Sequence, residues 1–312
     1  MNSEAMSLSV IIPTLNRAAD LSRTLPTLLA QTVVPDEIII VDQTPDDSSK
    51  KVVDEFSAKA AAQCGDALRL IYLHHPGLLG VGVARNIAIE HATSGILVFL
   101  DDDVLLEPDF LAELLVVYQQ DARVGGVSGV VTNYPLPSRK ERLLYRVFWL
   151  GPFHDERQPI YWNCEKLRHS GLFPVRKFSG CLMSLRRDAL DGERFDPKYK
   201  GAGSEDLDLS WRVSERWPLV ITPRARLVHV RTNLGRRRDH WFTYAVKCDH
   251  YLYFRLWNKG IRNRLCFVWL NFGYVLLATA SSAKRLSLGP WRAFIEGIRL
   301  GREQVKLSNE QS

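Results

Sequence analysis

The sequence predicts an α/β protein with a mostly parallel central sheet flanked by helices, extended by a C-terminal helical appendage. Three observations predict it. Short β-branched, apolar runs alternate with helical periodicities through the first hundred residues. Those runs are apolar at consecutive positions, the signature of strands buried on both faces of a parallel sheet. The final stretch abandons this alternation for basic, aromatic and uncharged segments.

Taken in order, Leu8 to Ile12 reads as a buried strand stopped at Pro13. Leu21, Leu25, Leu28 and Leu29 recur at helical spacing within Leu21 to Gln31. Glu37 to Asp42 is a second buried strand, with Asp42 where the chain leaves the sheet. Ser48 to Cys64 predicts a helix and Leu68 to Leu73 a third strand. Gly77 to Gly82 is a flexible loop, and a helix follows over Val83 to His91. Ile96 to Leu100 is a wholly apolar strand that runs straight into Asp101-Asp102-Asp103. Beyond it, Val124 to Val131 and Phe178 to Leu185 have strand character, Glu205 to Arg216 helical character, and Leu219 to Ile221 and Leu227 to Val230 read as two short strands. Pro135 to Val175 is aromatic and basic without clear periodicity.

Charge divides the chain. Arg212 to Lys306 carries 19 Lys or Arg against 5 Asp or Glu, while the remainder carries 22 against 30. An acidic, chemistry-bearing part over residues 1–235 is therefore joined to a basic, aromatic-rich part over 236–312. Such a basic part suits nucleic acid, anionic lipid or an anionic substrate. The uncharged run from Leu265 to Ala283, with Arg262 and Arg264 before it and Lys284 and Arg285 after it, suits a helix lying at a membrane surface, with a full span and a soluble core helix as the alternatives. Met1 to Met6 has no basic run, which argues against a secretory signal. The five scattered cysteines have neither zinc-knuckle nor redox spacing, as expected of reduced thiols in the cytoplasm. The expected location is peripheral, at the cytoplasmic face of a membrane.

In open α/β sheets the ligand lies beyond the carboxyl ends of the strands. Pro13-Thr14, Asp42 and Asp101 all fall at such ends. Three adjacent carboxylates repel one another, and a hard divalent cation with oxygen ligands offsets that repulsion. Mn²⁺ or Mg²⁺ bridging aspartate and a diphosphate would also stabilise a leaving group. Glu205-Asp206-Leu207-Asp208 follows a glycine-containing segment, Gly201 to Ser204, with Ser204 placed to cap a helix. A carboxylate there can remove a proton from an attacking hydroxyl, although acids in a first helical turn also serve merely to offset the helix dipole. Arg85-Asn86 opens a helix after the glycine loop and suits diphosphate. His229, set in an apolar strand, is either a satisfied core histidine or a further metal ligand.

The set as a whole is recognisable. Val10 to Arg17, Ile40-Val41-Asp42, Gly80 through Ala84-Arg85-Asn86, Phe99 to Asp103, and Glu205 to Leu209 with Arg212 occur in an order and spacing that resembles glycosyltransferase family 2, inverting enzymes of the GT-A fold. The resemblance covers roughly residues 8 to 230. It implies that Pro13, Thr14, Asn16, Arg17, Asp42, Arg85, Asn86, Asp101 and Asp102 bind a nucleotide sugar, with Asp42 accepting from a pyrimidine imide. It implies metal ligation by Asp101 and Asp103, to which the residue reading adds His229. Gly180 and Cys181 would line the acceptor side, and Asp206 would be the catalytic base, with Glu205 as runner-up.

The implied reaction transfers one sugar from a UDP or dTDP sugar to a hydroxyl of a glycan or lipid-linked acceptor, in cell-envelope or exopolysaccharide synthesis, with Mn²⁺ or Mg²⁺. The Gln43-Thr44-Pro45 sequence replaces the Asp-Gly-Ser that often follows Asp42 in this family, so the loop over the base differs. No Gln-x-x-Arg-Trp motif of processive members is present, which favours single-sugar transfer. Two other classes compete. A sugar nucleotidyltransferase would want a glycine-rich loop with Arg and Lys after the first strand, where this chain has Pro13 to Arg17. A non-enzymatic nucleic-acid or membrane-binding protein leaves the acidic motifs unexplained, and no nucleic acid is expected as a partner.

Overall fold

A computed structural model of the chain describes residues 6–77, 80–134, 138–150, 171–197, 204–230 and 238–309. Its principal elements are β1 (Leu8–Thr14), α1 (Ala18–Leu29), β2 (Glu37–Asp42), α2 (Ser48–Cys64), β3 (Arg69–His74), α3 (Val81–His91), β4 (Ile96–Leu100), β5 (Val104–Leu106), α4 (Phe110–Gln120), β6 (Gly126–Val131), α5 (Arg139–Tyr145), β7 (Phe173–Val175), β8 (Leu182–Arg186), α6 (Arg187–Leu190), α7 (Glu205–Ser214), β9 (Leu219–His229), α8 (Arg238–Leu252), α9 (Gly260–Arg285) and α10 (Gly289–Asn309). They fall into two compact units, Met1–Pro135 with Ile160–Thr232, and Leu136–Pro159 with Asn233–Ser312. The chain passes between them three times, and the expected division at 235/236 lies three residues from the third crossing, Thr232/Asn233. Sequence reading did not foresee that a central segment joins the C-terminal unit.

In the first unit the sheet order is β3-β2-β1-β4-β8-β6-β9-β5, with β7 paired to β9. β3, β2, β1 and β4 are mutually parallel. β8 runs antiparallel to β4 and β6, and β9 is parallel to β6. Alternation along each strand sends side chains to both faces. Ile96, Val98 and Leu100 join one buried cluster with Leu25 and Leu111, while Leu97 and Phe99 join another with Ala84 and Leu209. Helices cover both faces, which is why these strands tolerate apolar residues at every position.

Register aligns the ends of the strands. Thr14 pairs with Asp42 at the close of β1 and β2. β9 is one continuous strand from Leu219 to His229, where two short strands were expected around Pro223. The three-residue β5 pairs antiparallel with its end, matching Val104 to His229. That pairing makes Asp103 a neighbour of β9, and its carbonyl accepts the Val230 N–H at 2.8 Å.

In the second unit, α9 packs Leu270, Tyr274 and Ala278 against Val246 of α8 and Phe294 of α10. α8 and α10 approach closely because Gly297 and Gly301 present no side chain. A Cβ at Gly301 would lie 2.8 Å from both His250 Cβ and the Lys247 carbonyl. Phe148 packs against Trp269 with tilted rings 5.6 Å apart, and the Trp269 indole N–H donates to the Val147 carbonyl at 2.6 Å.

Candidate active site

Asp101, Asp102 and Asp103 leave the end of β4 in three directions. Asp101 is the most accessible, its side chain 32% exposed, and it accepts from Arg85 Nη2 at 3.0 Å. Asp102 turns inward. Its carboxylate accepts from the Thr14 hydroxyl at 2.6 Å and Arg17 Nη1 at 3.1 Å, and its backbone carbonyl accepts from the Thr24 hydroxyl at 2.7 Å. Burial pushes the Asp102 carboxyl up to about 7, against the opposing effects of Thr14 and Arg17. Asp103 is buried too, accepting from Arg17 Nη1 at 2.7 Å through Oδ2. Burial alone would raise its pKa, but His229 and Arg17 outweigh it and hold it below the ordinary aspartate value.

The other oxygen of Asp103 carries the metal argument. Oδ1 is buried and lies 2.8 Å from His229 Nε2. His229 Nδ1 meets the Tyr134 hydroxyl at 3.0 Å. Nε2–H donates to Oδ1 when that nitrogen carries the ring proton; with the proton on Nδ1 instead, both atoms present lone pairs that a cation would share. Asp101, Asp103 and His229 each offer one ligand atom, all within 4.8 Å of one another. This donor set fits a divalent cation, and its imidazole favours Mn²⁺ over the all-oxygen preference of Mg²⁺. Tyr134 supplies the outer-shell contact that fixes a ligating histidine. Neither Tyr134 nor the β5–β9 pairing was anticipated from sequence.

Arg85 is the hub of the site. It is 1% exposed, and Nη1 donates to Glu205 Oε1 at 3.2 Å, while Nη2 donates to both Asp101 and the Gly180 carbonyl at 3.0 Å. The guanidinium thus ties the end of β4 to the start of α7 and to the segment before β8. It faces the site through Asp101, not from an open surface. Gly180 N–H in turn donates to Asp206 Oδ2 at 2.5 Å, and Leu207 N–H donates to Asp206 Oδ1 at 2.8 Å. Asp206 keeps an accessible edge, whereas Glu205 is buried. Enclosure by surrounding protein raises the Asp206 pKa, opposed by Arg85 and the two amides. Ser204 occupies the helix-cap position with φ 85°, but its hydroxyl makes no capping bond, contrary to expectation.

A Cβ at Gly180 would lie 2.6 Å from both terminal guanidinium nitrogens of Arg85. Gly180→Ala is therefore expected to displace Arg85 and cost about 1–3 kcal/mol, as overpacking does. Turnover should fall by about a hundredfold, because both carboxylate partners lose their anchor. Denaturant unfolding and initial rates check this. An unchanged unfolding midpoint with unchanged turnover would sink it.

Three residues given roles by the resemblance are engaged elsewhere in the fold. Asn86 donates from Nδ2 to the Phe195 carbonyl at 2.7 Å and accepts the Phe195 N–H at 3.0 Å. Both ends of its amide are committed to tying α3 to that segment, not to a diphosphate. Cys181 is 3% exposed and packs in the apolar core, so only Gly180 of that pair borders the site. Asp42 is fully buried, accepting from Thr44 N–H at 2.9 Å and the Tyr72 hydroxyl at 2.7 Å. Pro13 is buried in β1, and Asn16 is exposed at φ 55°, its N–H donating to Thr44 Oγ1 at 2.9 Å. Arg212, quoted in the α7 motif, pairs with Asp208 at 2.9 Å and with Glu193, fixing α7 to the chain beside it. Gly201 to Gly203, Leu78-Leu79, Arg231 and Arg236-Arg237 lie outside the described residues.

The sequence model of Glycosyl transferase family 2 matches residues 9–192, more than half of the chain. The chain belongs to glycosyl transferase family 2. This family member is 31% identical over 224 residues to a validoxylamine A glucosyltransferase of Streptomyces hygroscopicus subsp. limoneus, covering 66% of this chain and 47% of that protein. It is 27% identical over 214 residues to the succinoglycan biosynthesis protein ExoM of Rhizobium meliloti, covering 67% of this chain and 61% of ExoM. The chain thus spans about half the length of the glucosyltransferase it matches. Among solved structures, the mannosyltransferase PcManGT from Pyrobaculum calidifontis, in complex with GDP-Man and Mn²⁺, superposes with a TM-score of 0.62 at 18% identity, covering 99% of this chain and 89% of that one. S. aureus TarS 1–349 gives 0.59 at 14% identity, covering 96% and 81%. The family 2 chain therefore has the GT-A fold with a C-terminal helical region.

Proposed function

We propose that this family 2 chain is an inverting, metal-dependent glycosyltransferase that moves one sugar from a nucleotide-diphosphate sugar, of the UDP or dTDP type, to a hydroxyl of a glycan or lipid-linked acceptor in envelope or exopolysaccharide synthesis. The observation that carries it is the joining, through Arg85, of the Asp101 end of the metal-fitting cluster to the carboxylates that open α7. The likeness to ExoM and to the validoxylamine A glucosyltransferase supports the reading.

A Mn²⁺ or Mg²⁺ ion held by Asp101, Asp103 and His229 would supply Lewis-acid stabilisation of the departing diphosphate. The protein's own part is positioning and proton removal. Asp206 takes the acceptor proton as the hydroxyl oxygen bonds to the anomeric carbon and the bond from that carbon to the diphosphate breaks. Its raised pKa suits a base, because a carboxylate with greater proton affinity assists more in the transition state. Gly180 N–H and Leu207 N–H orient the carboxylate. Glu205, held by Arg85, keeps the start of α7 in place. Arg17 offsets part of the charge of Asp102 and Asp103 and holds Asp103 through Oδ2, which would leave its second oxygen for a cation.

A thermal-shift screen of UDP, dTDP and GDP sugars, with and without Mn²⁺, tests the reading. A Mn²⁺-dependent rise in melting temperature with a UDP or dTDP sugar is expected. A rise confined to GDP sugars would overturn the UDP or dTDP assignment. No shift with any of the three in Mn²⁺ would overturn the donor class.

A further inference from the structure

We propose that the outer face of α9 is a docking surface for an anionic lipid bilayer, with the helix lying in the plane of the interface instead of crossing it. This goes beyond the catalytic reading and does not depend on it.

The face is a stripe. Ile261, Leu265, Val268, Phe272 and Leu276 are 72%, 44%, 66%, 49% and 44% exposed. Their spacing of three or four residues puts them on one side of the helix. Cys266, Leu270, Gly273, Tyr274 and Ala278 are the buried side. A contiguous exposed apolar stripe on a long helix marks an interaction surface.

Charge selects the occupant. Asp249 and Glu296 bound a stretch with no other carboxylate, and all seven charged residues between them are Lys or Arg. Arg262 and Arg264 stand exposed at one end of the helix, Lys284 and Arg285 at the other. A second copy of α9 would bring basic ends together whether it packed parallel or antiparallel. An anionic surface neutralises both ends at once.

Length alone would allow a span, since 26 residues make about 39 Å at ~1.5 Å per residue. The opposite face forbids it. Tyr274 donates to Asp249 of α8 at 2.6 Å, and Asn271 meets His250 at 2.8 Å. α10, packed beside α9, carries the exposed ion pairs of Arg299 with Glu296 and Glu303. Crossing would drag these charges into hydrocarbon, whereas lying flat immerses only the stripe.

The test is flotation of the full chain with phosphatidylcholine vesicles, with and without phosphatidylglycerol. The protein should float with the anionic vesicles and be released by salt. Ile261→Glu with Val268→Glu, both highly exposed positions, should abolish flotation while leaving the circular dichroism spectrum unchanged. Arg264→Glu with Lys284→Glu should weaken binding roughly thirtyfold or more, from about 1 kcal/mol per basic residue removed. Several outcomes overturn the proposal. They are no flotation of a monodisperse protein at low salt, undiminished flotation of the stripe variant, release from vesicles by detergent alone, and a dimer in light scattering that the stripe variant dissociates.

Discussion

Asp103→Asn is expected to bring turnover to background and to weaken nucleotide binding. Asp103 serves two partners at once, Arg17 through Oδ2 and the space shared with His229 through Oδ1. An asparagine keeps the shape but removes the charge that a divalent cation requires. It also turns an amide donor either toward Arg17, which wants an acceptor, or into the space that the cation would fill. Loss of a single group that stabilises developing charge usually costs about 10²–10³ in rate, and loss of the metal with it should cost more. Calorimetric Mn²⁺ titration beside initial rates checks this. The variant should bind Mn²⁺ too weakly to saturate, while the wild type loses activity in excess chelator and regains it on Mn²⁺ addition. Full wild-type turnover in chelator would overturn the metal assignment.

Asp206→Asn should separate binding from chemistry. A base acts as the proton leaves, so its removal lowers kcat by roughly 10²–10⁴ and leaves donor affinity nearly intact. There is a structural cost as well. The carboxylate accepts from two backbone amides, Gly180 N–H and Leu207 N–H. An asparagine can accept from one only and aims its own NH₂ at the other, costing about 1–3 kcal/mol. Glu205→Gln is the control. It removes the ion pair with Arg85, so its loss should appear mainly as reduced stability. Near-normal kcat in Asp206→Asn together with lost kcat in Glu205→Gln would exchange the two roles.

The parallel half of the sheet was legible because β2, α2 and β4 each carry their signal locally, and their bounds fall where the periodicity puts them. Helix α4, Phe110–Gln120, escaped because it is apolar on most of its sides, which blunts a helical period. The three residues of β5 are too few to show any period. Yet β5 explains why His229 lies beside Asp103, a pairing between distant segments that no local pattern encodes. At the site, residue type pointed to Asp101, Asp103 and His229, which the fold brings together, but commitment of side chains did not follow from type. Asn86 and Asp42 look available in sequence and are engaged by backbone and tyrosine in the fold. Arg85 was visible as a cation, while its burial and its three acceptors were not.

The contact of Val147 and Phe148 with Trp269 has a consequence for biosynthesis. Val147 emerges from the ribosome 122 residues ahead of the indole that its carbonyl will receive. At ~5–20 residues per second, the interval is roughly 6 to 24 seconds. Throughout it, Phe148 lacks the Trp269 ring it packs against in the fold, while the nascent chain is still supplying α7 and β9 to the first unit. Translation speed between these two points therefore sets how long the Phe148 ring waits for the partner it has in the folded chain.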